Sequence, residues 1–129
     1  MWINLVSNLE KITKYFPSLP DLTEVELISI ELLNYSTDMH ICFDLSHYPE
    51  KTPSRWAGRN TMQVEFSVLR PEKIEIRGWH YPMKGYLKAT RKGKKLELSF
   101  HSEQGQFKCV SSELFYLSKI RAYSKAESL

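Results

Sequence analysis

Apolar residues recur at helical spacing only once along the chain, over residues 2–16. Trp2, Leu5, Val6, Leu9, Ile12 and Phe16 fall on one face, with Asn8, Glu10, Lys11 and Lys14 on the other. That spacing predicts an amphipathic helix. Pro17 closes it, because proline lacks the amide donor that a helix interior needs. After the turn "PSLPD" the period changes from helical to twofold. "TEVELISIELL" is a strand with two competing registers: Val25 and Leu27 share one face, Ile28, Ile30 and Leu32 the other. A β-bulge near Leu27 reconciles them. "NYSTD" turns the chain into "MHICFDLS", which alternates Met39, Ile41, Phe43 and Leu45 inward. "TMQVEFSVL" repeats the alternation with Met62, Val64, Phe66 and Val68.

"RPEK" leads into "KIEIRGW". "GYLKAT" and "KLELSFH" then form a hairpin around Gly93, and "SEQGQ" supplies a further glycine turn. "FKCVSS" and "LFYLSKIRAY" follow as one broken strand or two, and the tail "SKAESL" has no apolar pattern and is expected to fray. Between the second and third strands lies "SHYPEKTPSRWAGRN", residues 46–60, too long for a tight connection and therefore functional or disordered. The expected class is α+β and mainly β: an antiparallel sheet or sandwich of seven or eight strands with one N-terminal amphipathic helix, in a single domain over residues 1–129. No helices separate successive strands, so the crossovers of a parallel sheet, and the dinucleotide site that goes with them, are missing.

Composition adds boundaries. An apolar share of 42% and a charged share of 26% are those of an ordinary soluble globule. No window of about 18 apolar residues exists to span a membrane. "MWINLVSNLEKITKYF" lacks the basic start and small-residue cleavage site of a secretory signal, so a cytoplasmic location is expected. Cys42 and Cys109 stand alone among apolar neighbours and read as half-buried thiols. The net charge of +3 conceals an asymmetry: residues 1–50 carry two lysines and eight acids, residues 51–129 sixteen bases and seven acids. The run from Lys84 to Lys95 holds six bases and no acid, the composition of a solvated strand face and hairpin tip.

Catalytic equipment is absent from the pattern. His40, His47, His80 and His101 are scattered singly, without metal-ligand spacing. His40, Cys42 and Asp44 share one strand face, but alternate side chains on a strand stand about 7 Å apart, so the three read as a mixed outer face rather than a nucleophile. The five glycines are separate, and no phosphate-cradling loop forms. Glu65 and Glu75 are outward strand positions. Neither catalytic residue, cofactor nor metal is expected. The aromatics say more. Trp79, in "GWHYP", reads as a strand-end core cap, while Trp56 is either the anchor of the long loop or, with Arg55 and Arg59, part of a contact surface.

Taken end to end, the order of pieces resembles the immunity protein 50 family of bacterial polymorphic toxin systems. The matching pieces are Trp2 and Phe16 in the first helix, Pro17 to Leu19, "LTEVELISIEL", "FDLSHYPEKTPSRW", "TMQVEF", "IEIRGW" and "FKCVSSELFYLSKIRAY". The resemblance implies an antitoxin, a non-enzymatic protein that binds a co-encoded toxin domain in the producing cell's cytoplasm and blocks it. It carries over no motif for toxin-contacting residues. Immunity proteins against basic nucleases are often acidic overall, whereas this chain is net positive. Either its toxin is not a basic nuclease or the acidic N-terminal part supplies a local complementary surface. The alternative from another class is a nucleic-acid-binding β-domain using Lys84–Lys95 with Tyr81 and Tyr86 as a stacking platform. Arg55, Trp56 and Arg59 are the candidate partner-binding residues.

Overall fold

The computed structural model describes residues 6–33, 38–113 and 115–126. Nine strands form one sheet: β1 (Val6–Ser7), β2 (Val25–Leu32), β3 (Asp38–Asp44), β4 (Thr61–Leu69), β5 (Lys73–Arg77), β6 (Lys84–Lys92), β7 (Lys95–Ser102), β8 (Gln106–Ser111) and β9 (Phe115–Tyr123). Their order is β1-β9-β4-β3-β2-β6-β7-β8-β5. Every pairing is antiparallel except β1 with β9. The chain is thus mainly β with little helix, as the alternation predicts.

Two short links decide the shape. β4 and β5 stand six places apart in the strand order, yet three residues, 70–72, join them. A flat sheet would separate them by roughly 29 Å at the usual strand spacing. That link can reach only about 15 Å. Ser111 to Phe115 joins β8 to β9 under the same constraint. The sheet therefore curls until its halves, β1-β9-β4-β3-β2 and β6-β7-β8-β5, face each other. Ser111 Oγ donates to Leu69 O at 2.8 Å and Glu72 N to Val110 O at 2.8 Å, which fastens the two link ends. The halves meet at a narrow seam, where β2 and β6 pair through Val25–Gly85 and Glu26–Lys84. One hydrophobic cluster takes side chains from both, including Met39, Ile41, Phe43, Val64, Phe66, Leu98, Phe100, Phe107 and Phe115. The choice between sandwich and single sheet resolves into a continuous sheet that supplies both layers.

Several local expectations match. Met39, Ile41, Phe43, Leu45, Met62, Val64, Phe66 and Val68 are all buried. The register of β2 against β3 shifts between Leu27 and Ser29, which makes Ile28 the extra residue of a bulge. Lys92 opposes Lys95 across a two-residue turn with Gly93 at φ +63°, the conformation a hairpin asks of glycine at that position.

The N-terminal helix is a correction. Trp2 and Leu5 lie outside the described residues. Of the rest, Val6–Ser7 pair as a strand with Phe115–Tyr116, and only Glu10–Thr13 form a helix, α1. A helix this short has no independent stability, and the open edge of β9 offers Val6 and Ser7 backbone partners instead. Asn8 turns the chain at φ +67°, a conformation asparagine tolerates, and its Nδ2 donates to Leu117 O at 3.1 Å. The apolar stripe still does its packing. Ile12 is buried, and Leu9, Tyr15 and Phe16 rest on the core.

Gly85 sits at the seam, flanked by Val25 of β2 and Ser102 of β7. A Cβ there would lie 2.0 Å from the backbone oxygen of His101, which cannot swing aside. Gly85→Ala should therefore destabilise the fold by about 1–3 kcal/mol, the cost of overpacking a fixed site. Urea unfolding of the variant beside the parent measures it, and an unchanged midpoint would mean that the seam yields.

Candidate functional site

The long connection is ordered through its second half by the end of the chain. Pro53–Trp56 wind into a single 3-10 turn, with Trp56 N donating to Pro53 O at 2.9 Å and Arg59 N to Trp56 O at 3.1 Å. Asn60 exchanges two side-chain hydrogen bonds with the Lys125 backbone, at 3.0 and 2.8 Å, and Ser124 Oγ donates to Gly58 O at 3.0 Å. The tail through Lys125 is thus tied down rather than frayed, because it supplies partners to backbone that would otherwise lack them. Trp56 is 6% exposed and its ring packs on Tyr15, with centroids 4.6 Å apart. It anchors the loop.

Around that anchor the three residues singled out from the sequence come together. Arg55 Nη2 reaches the Tyr15 hydroxyl at 3.4 Å, and its guanidinium stands 5.5 Å from the Trp56 ring centre. Arg59 Nη1 donates to Ala122 O at 3.1 Å. Both arginines line a groove of about 540 Å³ on the outer face of the first layer, together with Lys11 and Lys14 beside α1 and Lys119 and Arg121 of β9. Glu65 is the one carboxylate in its wall, and it is occupied as the acceptor of the Ser118 hydroxyl at 2.7 Å. All six cations are exposed. None forms an ion pair among the described residues, where the pairs are His40–Glu31, Lys73–Glu75, Lys92–Glu97, Lys95–Glu72 and Lys125 with Glu26 and Asp44.

Sequence reasoning found Arg55, Trp56 and Arg59 from residue type and loop length. It missed the other four cations. Lys11 and Lys14 read as the polar face of a helix, and Lys119 and Arg121 fall inside the strand pattern "LFYLSKIRAY", where nothing singles them out. Only the β9–β4 and β1–β9 pairings bring those faces to one place.

Behind the groove lies a polar cluster that the sequence did not signal. Asp44 is 2% exposed and Glu26 6%. Asp44 accepts hydrogen bonds from Gln63 Nε2 at 3.1 Å, from the Tyr123 hydroxyl, and from Lys125 Nζ at 2.9 Å. Lys125 Nζ is also 2.9 Å from Glu26 Oε2 and forms an ion pair with it. Two carboxylates inside the fold thus share one ammonium. Burial pushes the Tyr123 phenol from 10.0 up to about 12, with its hydrogen bond to Asp44 adding to the effect. For Lys125 burial disfavours the charge, but the adjacent carboxylates of Asp44 and Glu26 outweigh it and raise the group above 10.5. Asp44 thus lies on the outer strand face with Cys42 and Gln63, as its alternation predicts, but Tyr123 and Lys125 cover it. Cys42 is pushed up to about 11 by burial, then by Glu65 and Asp44, so its thiolate, the nucleophilic form, is suppressed.

The other candidates fare differently. Trp79 is 54% exposed, so it caps no core, and Tyr81 and Tyr86 are exposed near it. In the basic run, Lys92 pairs with Glu97 at 3.1 Å and Lys95 with Glu72. Lys88 and Arg91 point to opposite faces of β6 by the alternation of a strand. By the same alternation Lys84, Tyr86, Lys88 and Lys92 share the outward face of β6, so only part of the run gathers on one surface, and there Lys92 is engaged by Glu97. No group of three potential metal ligands occurs among the described residues, and none of their helices is long and apolar enough to cross a membrane.

A family model described as immunity protein 50 matches residues 8–123. The match spans the loop, the groove and strands β2 to β9, while β1, Val6–Ser7, lies just before it. No curated protein and no solved structure gives a significant match.

The buried cluster sets a pH dependence. Tyr123 and Lys125 both hold their protons more tightly in the folded chain than their ordinary values of 10.0 and 10.5. Their stabilising contribution is complete below about pH 10; the Tyr123 share is lost as pH rises toward about 12 and the Lys125 share goes on falling above it, because the unfolded chain releases these protons first. Melting temperature followed from pH 8 upward, at about constant ionic strength, should fall across that window. Tyr123→Phe should flatten part of the fall. Lys125→Met strands two buried carboxylates and should cost about 2–3 kcal/mol at neutral pH, below the range for a fully buried pair, because Lys125 is 31% exposed.

Proposed function

The chain belongs to the immunity protein 50 family, and on that premise we propose that it is a bacterial antitoxin. It binds a co-encoded toxin domain by protein–protein contact in the cytoplasm of the producing cell and blocks that domain's activity. The family match over residues 8–123 carries this reading. Arg55, Trp56 and Arg59 contribute to the contact, Trp56 by holding the turn and the arginines by reaching the partner. Residue types of this kind dominate binding energetics at interfaces, and a loop on a rigid sheet can present them without reorganising on binding. Burial holds the thiols of Cys42 and Cys109 protonated, the latter pushed up to about 12, so neither is set up as a nucleophile.

Co-expression tests the role. A toxin domain encoded beside this chain should arrest growth when expressed alone and be neutralised when the chain is expressed with it. Continued arrest would sink the reading. Arg55→Ala combined with Arg59→Ala should weaken toxin binding at least about tenfold, equivalent to about 1.4 kcal/mol. Stability should fall by no more than about 2 kcal/mol, since both side chains are exposed and each gives up a single hydrogen bond, Arg55 to the Tyr15 hydroxyl and Arg59 to Ala122 O. Calorimetric titration and thermal melting of the same variant separate the two, and unaltered affinity would take the turn out of the interface.

A further inference from the structure

We infer that the groove between α1, the Pro53–Trp56 turn and β9 receives an acidic, carboxylate-bearing segment of the partner protein. The inference rests on the antitoxin reading for the partner's identity, but its charge argument comes from the chain itself.

Residues 1–50 contain only two basic residues, Lys11 and Lys14, against eight acids. Both of those lysines line the groove, and none of those eight acids does. Arg55 and Arg59 come from the ordered turn, Lys119 and Arg121 from successive outward positions of β9. Three separate parts of the chain thus deliver like charge to one concavity. Outside the groove, four cations, Lys73, Lys92, Lys95 and Lys125, each meet a carboxylate; among the described residues none of the six in the groove does. Gathering six like charges without internal neutralisation opposes folding, and a partner of the opposite sign relieves that repulsion. Guanidinium groups add geometry, because their planar forks match carboxylates in pairs of hydrogen bonds.

The shape favours a protein segment over a nucleic acid strand. A single strand asks for open aromatic faces on which bases stack. Here Trp56 is buried and its ring is packed on Tyr15, while the exposed rings of Trp79, Tyr81 and Tyr86 line no part of the groove. Glu65 in the wall opposes a continuous phosphate backbone but is compatible with an acidic peptide, whose backbone amides can donate to it. A volume of about 540 Å³ accommodates a short stretch of extended chain.

The test reverses charge inside and outside the groove. Lys14→Glu with Lys119→Glu alters two exposed walls that make no hydrogen bond to the fold, and Lys88→Glu with Lys94→Glu is the matched control on the β6–β7 hairpin. Against the co-encoded toxin domain, the groove variant should lose at least about tenfold in affinity and much of its salt dependence, while the control stays within about twofold. A groove variant that still binds like the parent overturns the inference and leaves the antitoxin role standing. A parent that fails to bind the toxin sinks the antitoxin role instead. The groove is then decided by a fluorescent oligoglutamate peptide at low salt, which should bind the parent and the control but not the groove variant. Equal peptide binding by all three, or tighter binding of a single-stranded oligonucleotide of matched charge, overturns the acidic-peptide assignment. Should the double reversal melt early, Lys119→Gln alone serves in its place, with a proportionately smaller loss expected.

Discussion

A nearly helix-free sheet can dry its apolar face only by covering it with itself. That constraint organises this molecule. The links after β4 and before β9 are too short to let the strands lie flat, so the sheet closes on one hydrophobic cluster fed by both halves. Closure spends the inward alternation of β3, β4, β7 and β8 on the core. It leaves the outward alternation of β3, β4 and β9 free to build a surface, and the groove occupies that surface.

The groove also needs walls, and these depend on the end of the chain. Asn60 and Gly58 are held by Lys125 and Ser124, and Lys125 is in turn held by Asp44 and Glu26. Burying two carboxylates is costly unless each finds a partner. The shared ammonium meets that requirement while placing the tail against the loop. The turn bearing Arg55 and Arg59 is held by its own Trp56 packed on Tyr15 and, on its far side, by a tail that this charge cluster fastens.

Much of the fold was legible. Strict alternation in β3 and β4 identifies strands with one buried face, since only a period of two puts Met39, Ile41 and Phe43 together. The conflict of registers around Leu27 located a bulge without any structure. The N-terminal helix was not legible, because Val6 and Ser7 fit a helical stripe as well as a strand, and the deciding factor was the free edge of β9, contributed from Phe115 onward. Trp79 failed for a related reason: hydrophobicity alone does not tell a cap from an exposed ring. At the site, Arg55, Trp56 and Arg59 stood out by composition, yet Lys11, Lys14, Lys119 and Arg121 looked like ordinary solvated positions. Their meaning arises only from long-range pairing, which no local pattern encodes.

The pairing of β1 with β9 bears on the order in which the protein comes into being. The Ser7 hydroxyl bonds to the Phe115 carbonyl across 108 positions of sequence, and α1 reaches β9 through Lys11 and Ser118. On a ribosome, where synthesis runs at about 5–20 residues per second, the first strands emerge well before the strand that the N-terminal segment must dock onto. Early-made residues therefore wait for late-made ones, and such non-local closure is slow. A chain truncated before β9 would carry most of the core yet no groove at all, so the groove takes shape only once Phe115–Tyr123 has been made.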